Sequence, residues 1–299
     1  MSDKKSLLRL ASGAVSVLSL VALTTACQKQ STEGMRLTTS MNGIVNGKVA
    51  DGTEAWSKTI IGLASKDDDG AGYTIFCTGS IMSDKTVVTA AHCLDHMFGD
   101  NYIVFGLTEK GTDIQARKIV RHQINEKYES WFPEEARDVF DIGVAEFEGG
   151  LPTGYLAAEV LEDETLLADG ADIILAGYGV TSGSMQSEAG TLRYTTVKIR
   201  DSKYGTTEVI TDELQSGSCN GDSGGPGLLE KDGKFYLWGT TSRGDSFCQK
   251  EGIYTKVTSY REWIKETFSK WEANPLPKPS PTPEPTPAPS ATPAPPHAA

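Results

Sequence analysis

Cys219-Asn220-Gly221-Asp222-Ser223-Gly224-Gly225-Pro226 is the stretch on which the reading of this chain turns. Three glycines within five positions permit backbone angles closed to residues with a Cβ. Such a turn can aim the N–H groups of Gly221 and Ser223 at one point, where charge on an oxygen would be held. Alone, Gly-Asp-Ser-Gly reads better as a surface loop, because these are ordinary turn residues. Two stretches upstream weigh against the loop: Thr89-Ala90-Ala91-His92-Cys93 and Asp141-Ile142-Gly143-Val144-Ala145. A serine hydroxyl is a weak nucleophile until a base takes its proton, and imidazole titrates near neutral pH. Asp141 opens a strand pattern with Ile142 and Val144 on one face, and a buried carboxylate there requires a donor such as the His92 ring. Asp138 competes locally but has no such pattern behind it.

The rest of the chain sets the compartment. A net charge of −12 argues against nucleic acid as a partner. Residues 1–26 read as an export signal, with Lys4, Lys5 and Arg9 ahead of an uncharged run over 10–26. That run is short and broken by Ser and Gly, which favours cleavage over a membrane anchor. Leu23-Thr24-Thr25-Ala26-Cys27 resembles a bacterial lipoprotein box, with Thr24 where that box usually carries Leu. The five cysteines are an odd number for an exported chain. Acylation of Cys27 would use the odd one and hold the protein at a membrane, facing the periplasm or cell surface.

Residues 28–43 are polar and aperiodic, as in a tether or propeptide. Beyond them, eleven β-branched runs are separated by turn signals: 59–64, 76–82, 86–90, 102–105, 116–122, 142–146, 172–176, 190–199, 227–229, 235–241 and 252–257. This many short strands suit an all-β protein of two packed antiparallel barrels, with the seam near 149–161. A closing helix is expected from Ser259 and Glu262 at capping-box spacing, with Tyr260, Trp263, Ile264 and Phe268 on one face. The domain would end at 271. Eleven of the fourteen prolines fall in 274–299, so 272–299 reads as an extended spacer.

Taken together, the motifs around His92, Asp141 and Ser223 resemble the chymotrypsin/trypsin family of serine proteases, over roughly 44–268. The resemblance implies a chymotrypsin-like fold and hydrolysis of protein or peptide substrates without a cofactor. It makes Ser223 the nucleophile, His92 the proton shuttle and Asp141 its orienting carboxylate. Gly221 and Ser223 would supply the oxyanion hole, and Ser242 would hydrogen-bond Asp141. It pairs Cys77 with Cys93 and Cys219 with Cys248. It also implies a zymogen, since Ile44-Val45-Asn46-Gly47 resembles the family's mature N-terminus, whose freed ammonium would pair with Asp222. An activating protease is then needed, and Met41-Asn42-Gly43 lacks the usual Arg or Lys before the cut. Cleavage there would also release the enzyme, expected to be a monomer, from Cys27.

The same resemblance sets the substrate pocket on Gly217, Gly244 and Gly252. Glycine at all three leaves a deep pocket without a charge at its floor, suited to large apolar residues, although Asp245 lies close by. Arg243 stands where the family usually has Trp. No metal site is expected: 106–117 lacks a carboxylate cluster, and Asp67-Asp68-Asp69-Gly70 lacks later spaced ligands. Two other readings stay open, a non-catalytic binding protein on this scaffold and an esterase.

Overall fold

In the computed structural model residues 44–277 are described, apart from 96, 98, 112–113, 134 and 184–188. The export signal, Cys27 and the 28–43 tether lie outside the described residues, as does the chain from 278 onward. Strand β1 (Lys48–Val49) is followed by β2 (Ile60–Lys66), β3 (Tyr73–Ile81), β4 (Thr86–Thr89), β5 (Asn101–Phe105), β6 (Gln115–Ile124) and β7 (Gly143–Phe147). The last six form a closed antiparallel barrel in the order β2-β3-β4-β7-β6-β5. After a short β8 (Glu159–Val160), the chain forms β9 (Asp172–Gly177), β10 (Arg193–Asp201), β11 (Glu208–Asp212), β12 (Pro226–Lys231), β13 (Lys234–Gly244) and β14 (Glu251–Lys256). These six close a second ring, β10-β11-β14-β13-β12-β9, through antiparallel pairing of β9 with β10. The expected chymotrypsin-like pair of barrels is therefore present. Each of the eleven anticipated runs overlaps a strand, and β1, β8 and β11 were not anticipated.

Strand alternation explains why β2 reads as a continuous apolar run rather than an alternating one. Ile61 and Leu63 enter the first barrel with Ile81, Val87, Ile103 and Phe147. Ile60 and Ala64, on the other face, join Val88 and Val144 against Tyr178, Leu228 and Leu237 of the second half. Both faces are buried, so both must be apolar. Polar bonds fix the same junction: the Tyr178 hydroxyl donates to the Gly106 carbonyl at 2.7 Å, and its N–H donates to Thr78 Oγ1 at 3.1 Å. The crossing segment is bonded on both sides. Ala158 N–H donates to Ile81 O, and Leu161 N–H donates to Leu237 O, each at 2.8 Å.

A short α1 (His92–Asp95) carries the histidine, and α2 (Arg261–Ala273) ends the fold. The capping box does not form. Ser259 lies inside a 3₁₀ turn over Val257–Tyr260, and Tyr260 begins the helix without a side-chain cap. Tyr260 and Ile264 are buried, with Trp263, Phe268 and Trp271 packed alongside. The end of α2 is latched to the first barrel by Arg121 of β6. Its guanidinium donates to Trp271 O at 3.0 Å and Asn274 O at 2.9 Å, stacks on the Trp271 ring and pairs with the buried Glu146. Arg121→Ala would strip these contacts and leave Glu146 with Lys85 alone, at 3.2 Å. A stability loss of about 2 kcal/mol is expected, read as a lower midpoint in urea unfolding.

Candidate active site

The octet around Ser223 is stitched between the two barrels. Gly224 N–H donates to Thr241 O at 2.7 Å, and Thr241 N–H returns to Gly225 O at 2.8 Å. From the first barrel, Thr78 gives its N–H to Ser223 O at 2.8 Å and its hydroxyl to Gly221 O at 2.9 Å. The approach is so close that only glycine fits at 224, where φ is +75°. A Cβ there would sit 1.9 Å from Thr89 Oγ1 and 2.5 Å from Thr78 O. The octet's own donors divide into two groups. Asp222 and Gly225 N–H are bonded within the octet and Gly224 N–H to Thr241 O, whereas the N–H groups of Gly221 and Ser223 donate to no acceptor among the described residues.

Asp141 lies at the mouth of β7 with a side chain only 2% exposed. Its Oδ2 accepts from His92 Nδ1 at 2.8 Å and from the Ser242 hydroxyl at 2.8 Å, and its Oδ1 accepts from His92 N–H at 3.0 Å. Burial pushes this carboxyl up, but the His92 ring and its hydrogen bonds outweigh burial and hold it below the usual range. Burial pushes His92 down, and the adjacent Asp141 charge more than reverses this, so the imidazole is raised above its ordinary value. The Ser223 hydroxyl makes no hydrogen bond to a described residue, the His92 ring included. Such bonds are often long before substrate binds. Asp138, the local competitor, is engaged elsewhere: its carboxylate takes the N–H groups of Thr206 and Thr207 and the Thr207 hydroxyl.

Two disulfides flank the site, Cys77–Cys93 beside the histidine and Cys219–Cys248 beside the serine. They fit an oxidising compartment. The Sγ atoms of Cys77 and Cys93 lie within 4.8 Å of a His92 ring nitrogen. Both sulfurs are consumed in the disulfide, so this cluster offers no thiolate to a metal.

Two glutamates matter here that the sequence did not single out. Glu208, on β11, is fully buried and accepts the N–H groups of Asp138 and Val139, just ahead of Asp141. Arg243 meets the same carboxylate with two bonds, at 2.7 and 2.9 Å, and its Nη2 also donates to Ala136 O. The pair thus binds the loop before Asp141 to the strand carrying Ser242. Glu213, just past β11, lies against Gly217 and Gly252. Its carboxyl group fills the space left by these two glycines, where the resemblance puts the pocket floor. Asp245 does not reach that floor. It accepts N–H groups of Phe247, Gln249 and Lys250 within its own loop. Gly244 is exposed along a cavity of about 260 Å³, shared with Ser218, Cys219, Ser223, Ser242 and Arg243.

Ile44 is buried in the second barrel's core with Leu161, Trp238 and Tyr254. Val45 forms an antiparallel bridge to Gly217. Asp222 is fully buried, and its carboxylate accepts Gly179 N–H at 2.8 Å and Cys219 N–H at 2.9 Å.

With this geometry the comparisons agree. The family model described as Trypsin matches residues 44–264. The chain belongs to the trypsin family. It is 28% identical over 240 residues to a CLIP domain-containing serine protease C9 of Anopheles gambiae, covering 70% of this chain and 64% of that protein. That match spans less than two thirds of the mosquito protein's length. Trypsin Blo t 3 of Blomia tropicalis is 29% identical over 214 residues, covering 64% of this chain and 76% of its own. A chymotrypsin of Phaedon cochleariae is 25% identical over 217, with 66% and 73% covered. Among the described residues no helix is long and apolar enough to cross a membrane.

Burial pushes both Asp222 and Glu213 up to about 7, and Glu213 adds to the push on Asp222. Unfolded carboxyls titrate near 4, so between about pH 4 and pH 7 the folded chain binds more protons than the unfolded one. Stability from these groups is therefore lost as pH rises through that window. In the unprocessed Ser223→Ala chain, the contribution should appear as a fall in urea midpoint from pH 5 to pH 7.5. Adding Asp222→Asn should flatten that fall.

Proposed function

We propose that this protein is a serine endopeptidase that hydrolyses peptide bonds through an acyl-enzyme on Ser223. The observation that carries the reading is the hydrogen-bonded chain Ser242–Asp141–His92, set beside a serine turn whose Gly221 and Ser223 N–H groups are unclaimed. His92 takes the Ser223 proton as the hydroxyl attacks the substrate carbonyl. The two N–H groups hold the oxyanion, and His92 passes the proton to the leaving amine. Water then repeats the sequence and frees Ser223. Asp141 keeps the proton on Nδ1, so that Nε2 faces the serine as the base.

Ser223→Ala is expected to lower kcat/KM by at least about 10⁴-fold and to abolish labelling by a fluorophosphonate. Asp141→Asn should cost about 10⁴-fold through the wrong tautomer. It should also move the acid limb of the rate profile to lower pH, because burial alone then acts on His92. Absence of labelling in the processed preparation would favour a binding protein. Faster turnover of simple esters than of matched peptides, at equal labelling, would favour an esterase.

We further propose that the protein is made as a zymogen, cut before Ile44 by a protease that does not require Arg or Lys at the cut. The freed Ile44 ammonium would pair with Asp222, and the pair would order the turn carrying Gly221 and Ser223. Support comes from the Ile44 side chain in the core, the bridge of Val45 to Gly217, and the burial of Asp222. On this reading residues 44–271 are the protease domain, 272–299 a spacer, and Cys27 a lipid anchor left behind on activation. Amino-terminal sequencing of active enzyme should then begin at Ile44, in the soluble fraction of cells rather than the membrane. Asp222→Asn should be processed yet lose about 10²- to 10³-fold in kcat/KM.

A further inference from the structure

Arg243 reaches the site from β13, one residue after Ser242, and its guanidinium meets three residues at once. Nη1 donates to Glu208 Oε1 at 2.7 Å and to Ser242 Oγ at 3.3 Å. Nη2 donates to Glu208 Oε2 at 2.9 Å and to Ala136 O at 2.8 Å. The guanidinium also lies over the Phe132 ring, 5.4 Å from its centroid. Its side chain is 16% exposed, and that of Glu208 is sealed. Two parallel bonds to one carboxylate fix a guanidinium in direction as well as in place.

The bond to Ser242 decides which way that hydroxyl points. A hydroxyl has one proton to give, a guanidinium can only donate, and an ionised carboxylate can only accept. With Arg243 on one side and Asp141 on the other, the Ser242 proton lies towards Asp141 Oδ2, 2.8 Å away. A continuous hydrogen-bonded chain therefore runs Glu208–Arg243–Ser242–Asp141–His92. Glu208 joins it a second time, through the N–H groups of Asp138 and Val139 in the loop that leads into Asp141.

The pair also balances charge beside the imidazole. Among the described residues, Arg243 is the one cation bonded to the Ser242–Asp141–His92 chain from outside it. Alone, it would oppose protonation of His92, and Glu208 alone would favour it. Other groups face this cluster from neighbouring elements. Tyr128 lies near Asp141 and Asp95, and Tyr260 near Asp138, Glu208 and Asp141; burial pushes both phenols up to about 12. Tyr204 faces Arg243 and is covered by Arg137, while Lys127 lies over Phe140. The Asp138 carboxylate is held by Thr206 and Thr207.

We propose that Glu208 and Arg243 are positioning residues of the catalytic site: Arg243 directs the Ser242 hydroxyl onto Asp141, and Glu208 cancels the charge that Arg243 would otherwise impose on the imidazole. The inference rests on the endopeptidase reading above. Each member of the pair is useful only with the other, because either charge left alone would mistune the base.

The test uses the processed enzyme, with rates expressed per fluorophosphonate-labelled site. The acid limb of kcat/KM reports protonation of His92 in the free enzyme. Arg243→Gln should move that limb to higher pH and Glu208→Gln should move it to lower pH, each by about half a pH unit or more. The double variant Glu208→Gln/Arg243→Gln should bring the limb back towards its native place. Arg243→Lys keeps the charge but loses the fork, so it should hold the limb near its native place while lowering kcat by about 10-fold. If Glu208→Gln does not fold, Arg243→Gln and Arg243→Lys decide between them. Rates that fall while the Arg243→Gln limb stays in place would reduce the pair to a structural brace and overturn the proposal. Shifts of the same sign in both single variants would overturn it too. Failure of the native enzyme to label would overturn instead the endopeptidase reading on which the proposal rests.

Discussion

The arrangement depends on one buried anion, the carboxylate of Asp141. It is nearly sealed from solvent, and a bare charge there would be far too costly to keep. What makes it tolerable is that donors reach it from both barrels: the His92 ring and N–H from the first, and the Ser242 hydroxyl from the second. The charge can be satisfied only when the halves are in register. The same contact that orients the imidazole therefore also reports on correct assembly of the cleft, so stability and site geometry are tied together at a single oxygen pair.

Other buried acids extend this logic outward. Glu208 takes two backbone N–H groups from the loop preceding Asp141 and a bidentate grip from Arg243, next to Ser242. It braces both approaches to the central carboxylate without touching it. Asp138 and Phe140 both have positive φ, at 53° and 57°, so the loop being braced carries backbone strain that needs such support. Arg243 occupies a position where the family usually has Trp, and its partnership with Glu208 explains how a cation is kept there at little electrostatic cost.

Much of this was legible in the sequence because it is local. The Ser223 turn announces itself through glycine, and His92 and Asp141 sit in short patterns that a linear reading can find. The barrels were visible wherever strands are β-branched and bounded by turns. What escaped was β11, Glu-Val-Ile-Thr-Asp, in which Glu208 through Thr211 are all buried. A strand covered on both faces and carrying polar groups shows neither alternation nor a clean apolar run. With β11 went both glutamates, since apart from Thr211 their partners lie between 5 and 70 residues away. Ser259 and Glu262 show the converse failure. Their spacing suited a cap, but the chain spends that turn as a 3₁₀ segment, and side-chain packing starts the helix instead.

The grip of Arg121 on the end of α2 changes what a break in the backbone would mean. The two barrels are consecutive in sequence, yet the last helix of the second returns to the first and is held there by Arg121 and by Trp263 bonded to Glu126. The chain is in this sense a closed circuit rather than two beads on a string. A nick in the crossing segment around residues 148–158 would leave the halves still strapped by their own carboxyl end. The cleft should accordingly survive a cut there as a two-chain particle.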